Sequence, residues 1–489
     1  MIHSHMWESV FVEDCSRMFI SAAPRATALE FFHPHPGREG IALTQVDAGP
    51  AGRWGALRLL VWVVLLGLAF PLNAVAPPSW PGLVGLGGAP VLLAGLGVFW
   101  AAVGVRGYAE RKRHDAALES IPIRIHVDGS RGKTGTSRLI GEALRANGIR
   151  VLVKTTGKIP CLIDTAGKET VLERGRTGAP NLREQRDVVR LAAEQGAQAI
   201  VVECMAVDPE LRRVSEQTLI RATIAVLTNV RRDHLEVIGP DLGTAARSLC
   251  EVIPRNGTLV TGERRLLPVL EEEAAKRNAR VVCVDPETVS DAVLASVPYI
   301  TFKENVAIAL AVSDHLKLDR QRSIEGIRAS TPDYGTVRLF DRQAKDGLYT
   351  LVCALGVNDV DSLLSLRAEL VRRGKMNGGP LVGLFNSRDD RATRSVEFAK
   401  GMARDLDFRS VLVTGRHTKA FVHAAVKNGY PRERLSEMER ASPHEILDAL
   451  DGLTPAGGTV FACGNMVTGR GYGLVDALVQ GETHDHAGN

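Results

Sequence analysis

The run Ile123-Arg124-Ile125-His126-Val127 leads into Gly129-Ser130-Arg131-Gly132-Lys133-Thr134-Gly135-Thr136, and the residues after it carry a helix-like pattern. This junction constrains the fold more than any other stretch. A strand feeding a glycine-rich turn and then a helix start points backbone N–H groups at one spot. It also adds the positive end of a helix dipole, and the two together favour a bound phosphate. Gly129, Arg131, Gly132 and Gly135 supply that backbone, Lys133 an ammonium to neutralise β/γ-phosphate charge, and Thr134 a hydroxyl for Mg2+. The longer form of the pattern has a glycine five residues before Gly132, where this chain has Val127. The loop is therefore the compact variant, and a plain glycine turn between strand and helix stays open as the alternative.

Beyond Tyr108, short β-branched runs alternate with amphipathic stretches. Strands are expected at 123–127, 151–154, 199–203, 223–227 and 258–261, with helices at 134–147 and 182–195. This order predicts an α/β domain over 108–333, a mostly parallel sheet covered by helices. A second series, at 351–354, 381–385, 411–414 and 460–463, predicts a smaller α/β domain over 334–481, followed by a tail at 482–489. Ser330-Thr331-Pro332-Asp333-Tyr334-Gly335 reads as the hinge between them. A chain of 489 residues is long enough for both cores. Its 60 basic and 56 acidic residues leave a net charge of +4, too balanced to argue for a nucleic-acid partner. The cysteines form no CxxC pair and several sit in apolar runs such as Val281-Val282-Cys283-Val284, which reads as buried free thiol in a reducing compartment.

From 59 to 75 and again from 83 to 105 the chain carries no charged residue, and Pro77, Pro78, Trp80 and Pro81 lie between. This predicts a transmembrane hairpin over 57–107, or one span and a half-inserted segment, since Pro71 interrupts the first arm. Arg53 and Arg58 on one side and Arg106, Arg111, Lys112 and Arg113 on the other place both ends in the cytoplasm. The α/β domains would then lie on the cytoplasmic face of the cell membrane. A helical hairpin buried in a soluble core is the competing reading. Residues 1–56 show no sustained periodicity.

In open parallel sheets, ligands gather at the carboxyl ends of strands. The strand at 199–203 ends in Glu203, a carboxylate suited to a Mg2+ that bridges ATP phosphates, or else a partly buried loop cap. The strand at 223–227 runs into Thr228-Asn229, with Asp233-His234 shortly after, a pair suited to a metal or phosphate contact.

Taken together, the Lys133-Thr134 loop, Glu203, and Thr228-Asn229 with Asp233-His234 resemble the central domain of the Mur ligase superfamily, enzymes that join an amino acid to a carboxylate using ATP. Thr155-Thr156-Gly157, Gly178-Ala179-Pro180-Asn181 and Glu203-Cys204-Met205-Ala206-Val207, in that order, look like the branch that forms the ligase subunit of poly-γ-glutamate synthase. The likeness runs from about Arg113 to about Asp476. It implies a Mur-ligase-like P-loop ATPase domain and a smaller, Rossmann-like C-terminal domain behind the membrane hairpin.

The resemblance also implies roles. Lys133, Glu203, His234 and Arg338 would be catalytic, and Thr134, Glu203 and His234 would hold metal. Asn305, Asn358 and Asp359 would add contacts to ATP, although a helix cap is an equal reading of Asn305. Asn181 and the Arg388, Asp390 and Arg391 of Ser387-Arg388-Asp389-Asp390-Arg391 would bind glutamate, with a solvated ion-pair loop as the plain alternative for that segment. The implied cofactors are ATP and Mg2+. The implied partners are glutamate, a growing poly-γ-glutamate chain, the membrane, a multi-span subunit and further capsule-synthesis subunits. Many Mur ligases use a modified lysine after the strand-terminal glutamate for a second Mg2+, but this chain has no lysine between Glu203 and Arg231. One Mg2+ then suffices, or His234 substitutes. Two alternatives remain open: a Mur-family ligase of folylpolyglutamate or peptidoglycan type, and a P-loop ATPase that powers transport or assembly.

Overall fold

The computed structural model describes residues 40–41, 84–157, 159–174, 181–231, 235–333, 335–344, 347–376, 378–387, 392–439, 441–465 and 474. Among them, one sheet holds β1 (Gly40–Ile41), β2 (Ile123–Asp128), β3 (Val151–Lys154), β4 (Cys161–Ile163), β5 (Glu169–Leu172), β6 (Ala199–Glu203), β7 (Ile224–Leu227), β8 (Thr258–Thr261) and β9 (Arg280–Cys283). Their spatial order is β1-β5-β4-β3-β6-β2-β7-β8-β9. From β3 to β9 neighbouring strands are parallel, whereas β4 pairs antiparallel with both β3 and β5. The second sheet holds β10 (Arg338–Ala344), β11 (Gly347–Cys353), β12 (Leu381–Ser387), β13 (Ser410–Gly415), β14 (Leu435–Met438) and β15 (Thr459–Cys463). Its order is β10-β11-β15-β12-β13-β14, parallel except for the β10–β11 hairpin.

Continuous Val, Ile and Leu runs make these central strands because both faces of a helix-covered parallel sheet are dry. Every residue of β3, β6, β7 and β8 is buried. On one face, helices Lys133–Ala146, Lys303–His315 and Arg320–Ala329 press Leu139, Ile140, Leu144, Ile308 and Ile327 onto Ile125, Val127 and Val201. On the other face, helix Arg183–Glu194 buries Gln185, Val188, Val189 and Ala192, the one-sided spacing of a surface helix. Cys283 departs from the expectation of a buried thiol. It is only half-buried, because β9 is the sheet edge and has one strand neighbour.

Of the expected membrane hairpin, the described residues include only part of the second arm. Its first arm, 59–75, lies outside the described residues. The second runs into a single helix, Val84–Ser120, that continues past Val105 through Arg106, Arg111, Lys112 and Arg113. Among the described residues no helix is long and apolar enough to cross a membrane. The charged half of helix Val84–Ser120 continues the apolar half without a break. Its far end is also tied to the sheet, where Leu118 packs with Ile121, Leu152 and Ile200.

The close approach of helix Arg320–Ala329 to helix Lys133–Ala146 gives a first prediction. A Cβ on Gly326 would lie 2.2 Å from the Glu142 carbonyl oxygen and 2.8 Å from Ala146 Cβ. Alanine gains about 1 kcal/mol of helix propensity, but forcing the helices apart costs about 1–3 kcal/mol. Gly326→Ala should therefore lower the urea midpoint; a raised midpoint would show that this contact is loose.

Candidate active site

Because β2 lies between β6 and β7, the loop after β2, the end of β6 and the end of β7 emerge side by side. The loop's shape comes from its neighbours. Gly129 and Gly132 have φ of 128° and 84°, conformations that other residues rarely adopt. A Cβ on Gly129 would sit 2.1 Å from Thr228 Oγ1, so only glycine fits. Ser130 N–H donates to the Asn229 carbonyl at 2.9 Å, and Arg131 N–H to Asn229 Oδ1 at 3.1 Å. The Arg131 carbonyl in turn accepts from the Thr228 hydroxyl at 2.7 Å and from Asn229 Nδ2 at 3.1 Å. Thr228-Asn229 thus shapes the glycine-rich loop.

Lys133 opens the helix, and its Nζ donates to the Gly129 carbonyl at 2.5 Å, across the mouth of the turn. The next residue meets Glu203: Thr134 Oγ1 donates to its two carboxylate oxygens at 3.0 and 3.2 Å. Glu203 is 2% exposed and also accepts the Thr156 N–H at 2.6 Å. Three pieces remote in sequence therefore converge on one point. Gly157 keeps that point open, since a Cβ there would come 2.8 Å from Thr134 Oγ1. Among the described residues no three His, Cys, Asp or Glu side chains gather to hold a metal. One carboxylate and one hydroxyl, both hard oxygen donors beside a phosphate loop, suit Mg2+, which takes few protein ligands and completes its shell with phosphate and water.

Asn305 is buried as the third residue of helix Lys303–His315, whose N-cap is Phe302. It is not a cap. A Cβ on Gly132 would fall 2.8 Å from Asn305 Oδ1, so the asparagine backs the loop. Arg131, Asn358 and Asp359 are brought together, but by contact with one another: Arg131 Nε donates to Asp359 Oδ2 at 2.9 Å and its Nη2 to Asn358 Oδ1 at 2.8 Å. This clasp joins the phosphate loop to the second sheet. Asp359 is held for it by capping helix Val360–Arg372, where it accepts the Ser362 N–H at 2.8 Å.

Arg338 starts β10 opposite Cys353, half-buried. Asn181 is exposed and lies two residues before helix Arg183–Glu194, its Oδ1 accepting the Arg183 N–H at 2.9 Å. Gly135 lies in the first turn of helix Lys133–Ala146. His234, Arg388, Asp390 and Arg391 lie outside the described residues.

Several residues at this site gave no sequence signal of their role. Asp128, 1% exposed, accepts the Gly129 N–H at 2.7 Å through Oδ1 and pairs with Arg212 Nε at 2.8 Å through Oδ2. Lys154 closes β3 fully buried, its Nζ 3.3 Å from Glu184, which also takes Arg174 at 2.7 Å. Burial pushes the Lys154 ammonium down to about 8, against the pull of the Glu184 carboxylate. A lysine ending an apolar strand gives no hint of burial; its partner lies on helix Arg183–Glu194.

Comparison with known proteins adds two domain matches and clear relatives. Residues 127–319 match the Mur ligase middle domain, and residues 341–481 match the poly-gamma-glutamate synthase CapB C-terminal domain. PGA synthase CapB of Bacillus subtilis is 31% identical over 72% of this chain and 89% of its own length. The capsule biosynthesis protein CapB of Bacillus anthracis is 31% identical over 77% of this chain and 80% of its own. In fold, the chain is similar to a Mycobacterium tuberculosis folylpolyglutamate synthase complexed with ADP, with a TM-score of 0.54 and 18% identity, over 79% of this chain and 94% of that one.

Proposed function

This chain belongs to the poly-γ-glutamate synthase CapB family, built on the Mur ligase middle domain, and from that membership we infer an ATP-dependent ligase that builds poly-γ-glutamate. The observation that carries the reading is the meeting of Thr134 and Glu203 beneath Lys133, at the end of the sheet where β6 and β2 emerge together.

A carboxylate is a poor electrophile, so amide formation needs it activated. A γ-carboxylate oxygen of glutamate or of the growing chain attacks the γ-phosphorus of ATP. An O–P bond forms, the bond to ADP breaks, and an acyl phosphate results. The amine of the next glutamate then attacks the acyl carbon, and inorganic phosphate leaves with the C–O bond electrons. Lys133 and the loop N–H groups spread charge on the transferring phosphoryl group. Thr134 and Glu203 would hold Mg2+, which when bound neutralises phosphate charge. Asn305 backs the loop, while Arg338, His234, Asn358 and Asp359 are assigned to the nucleotide side. Asn181, Arg388, Asp390 and Arg391 are assigned to the glutamate side. The C-terminal domain match favours this reading over a folylpolyglutamate-type ligase.

The reading extends to the cytoplasmic face of the membrane, with a multi-span partner beside segment 57–107. What supports it is apolar surface on helix Val84–Ser120: Leu96, Val98, Trp100, Val105 and Tyr108 are all more than half exposed, with Val105 at 70%.

Membranes carrying the full chain and its partner subunits, given glutamate, ATP and Mg2+, should release phosphate in proportion to γ-linked polymer formed. Phosphate release that ignores glutamate and yields no polymer would sink the ligase reading and favour a transport ATPase.

A further inference from the structure

The chain linking the two sheets brings a second carboxylate to the point where Thr134 meets Glu203. Asp333 lies in the short link between helix Arg320–Ala329 and β10, far in sequence from both Thr134 and Glu203. Its Oδ1 accepts the Thr336 hydroxyl at 2.9 Å, and its backbone carbonyl accepts the Thr336 N–H at 3.2 Å. That turn aims Oδ2 at Gly157. A Cβ on Gly157 would lie 3.4 Å from Asp333 Oδ2 and 2.8 Å from Thr134 Oγ1, so both oxygens border the same small space. Glu203 closes its other side through Thr134 and the Thr156 N–H.

We propose that Asp333 is a positioning residue of the divalent-cation site, a carboxylate that accepts hydrogen bonds from water on the ion held by Thr134 and Glu203. The chemistry fits Mg2+, which sheds water reluctantly and is recognised largely through its hydration shell. It also places a cation contact in the hinge, so that loading the site orders the link to the second sheet. The competing role for Asp333 is to balance Arg138, which is 2% exposed and reaches Thr331 at 3.4 Å. Arg138 already has a carboxylate partner in Glu169, at 3.1 Å from Nη1.

The inference rests on the nucleotide site of the ligase reading, and the test separates the two. Mn2+ binding to the full chain with ADP is followed by electron paramagnetic resonance, and ADP binding in EDTA by calorimetry. Asp333→Asn should weaken Mn2+ binding about tenfold or more and leave ADP affinity in EDTA unchanged. Asp333→Glu, which keeps a carboxylate within reach of metal-bound water, should recover most of the loss. Hydrogen exchange over 330–337 should slow on Mn2+ and ADP addition in the native chain and not in the asparagine variant. Mn2+ affinity within threefold of the native value, or an equal loss of ADP affinity in EDTA, would overturn the role and leave Asp333 to the Arg138 contact. A native chain that binds no ADP would instead overturn the nucleotide site itself.

Discussion

Replacing Lys133 by alanine should lower kcat/KM for glutamate-dependent phosphate release by at least about 10²–10³-fold, the range seen when one charge-stabilising donor is removed from a transition state. The side chain is half-buried, and its Nζ donates to the Gly129 carbonyl at 2.5 Å. Its loss therefore leaves the core intact, and the urea midpoint should stay close to native. Lys133→Arg should not rescue turnover, because a planar guanidinium cannot place its charge where the compact ammonium sits between glycines. Turnover within threefold of native in either variant would remove Lys133 from the phosphate site.

The second large effect is expected at Arg212, outside any motif. It stands on the short helix Pro209–Val214, capped by Asp208, and is 5% exposed. Its Nε reaches Asp128 Oδ2 at 2.8 Å, and Nη1 donates to Ser248 at 3.3 Å. Arg212→Ala strands the Asp128 carboxylate in a dry interior, a change that costs about 3–5 kcal/mol when a buried pair is broken. Asp128 is also the acceptor for the Gly129 N–H at 2.7 Å, so the damage should travel into the phosphate loop. Chemical denaturation and ADP binding should both weaken. Pairing Arg212→Ala with Asp128→Asn should be less damaging than the sum of the single changes, since the second removes the stranded charge. A stability loss under 1 kcal/mol for Arg212→Ala would mean that water reaches Asp128.

How much of this was legible depends on where the information lies. β3, β6, β7 and β8 are readable because a strand buried on both faces tends to be a run of apolar residues, such as Ala199-Ile200-Val201-Val202, and β2 is readable from its alternating Ile123, Ile125 and Val127. The β4–β5 hairpin is not: three- and four-residue strands leave no periodicity, and Glu169 pairs with Arg138 on helix Lys133–Ala146. The apolar stretch before Arg106 is legible from its own composition. The packing of Leu118, near the end of helix Val84–Ser120, with Ile121 and the sheet residues Leu152 and Ile200 is not, since no local window contains those contacts.

The same division holds at the site. Residue types and their order determined that a phosphate loop with Lys133 and Thr134 follows a strand, that Glu203 ends another, and that two α/β series follow one another along the chain. Those are local facts, set by backbone propensity and by the chemistry of neighbours in sequence. Only the tertiary structure decided that Arg131 clasps Asn358 and Asp359, that Arg212 carries Asp128 under the loop, and that Asp333 of the hinge turns toward Gly157. Each is a pairing of charged or polar groups across long stretches of chain. Their partners are chosen by which strand ends the sheet order sets side by side, and a linear sequence does not display that order.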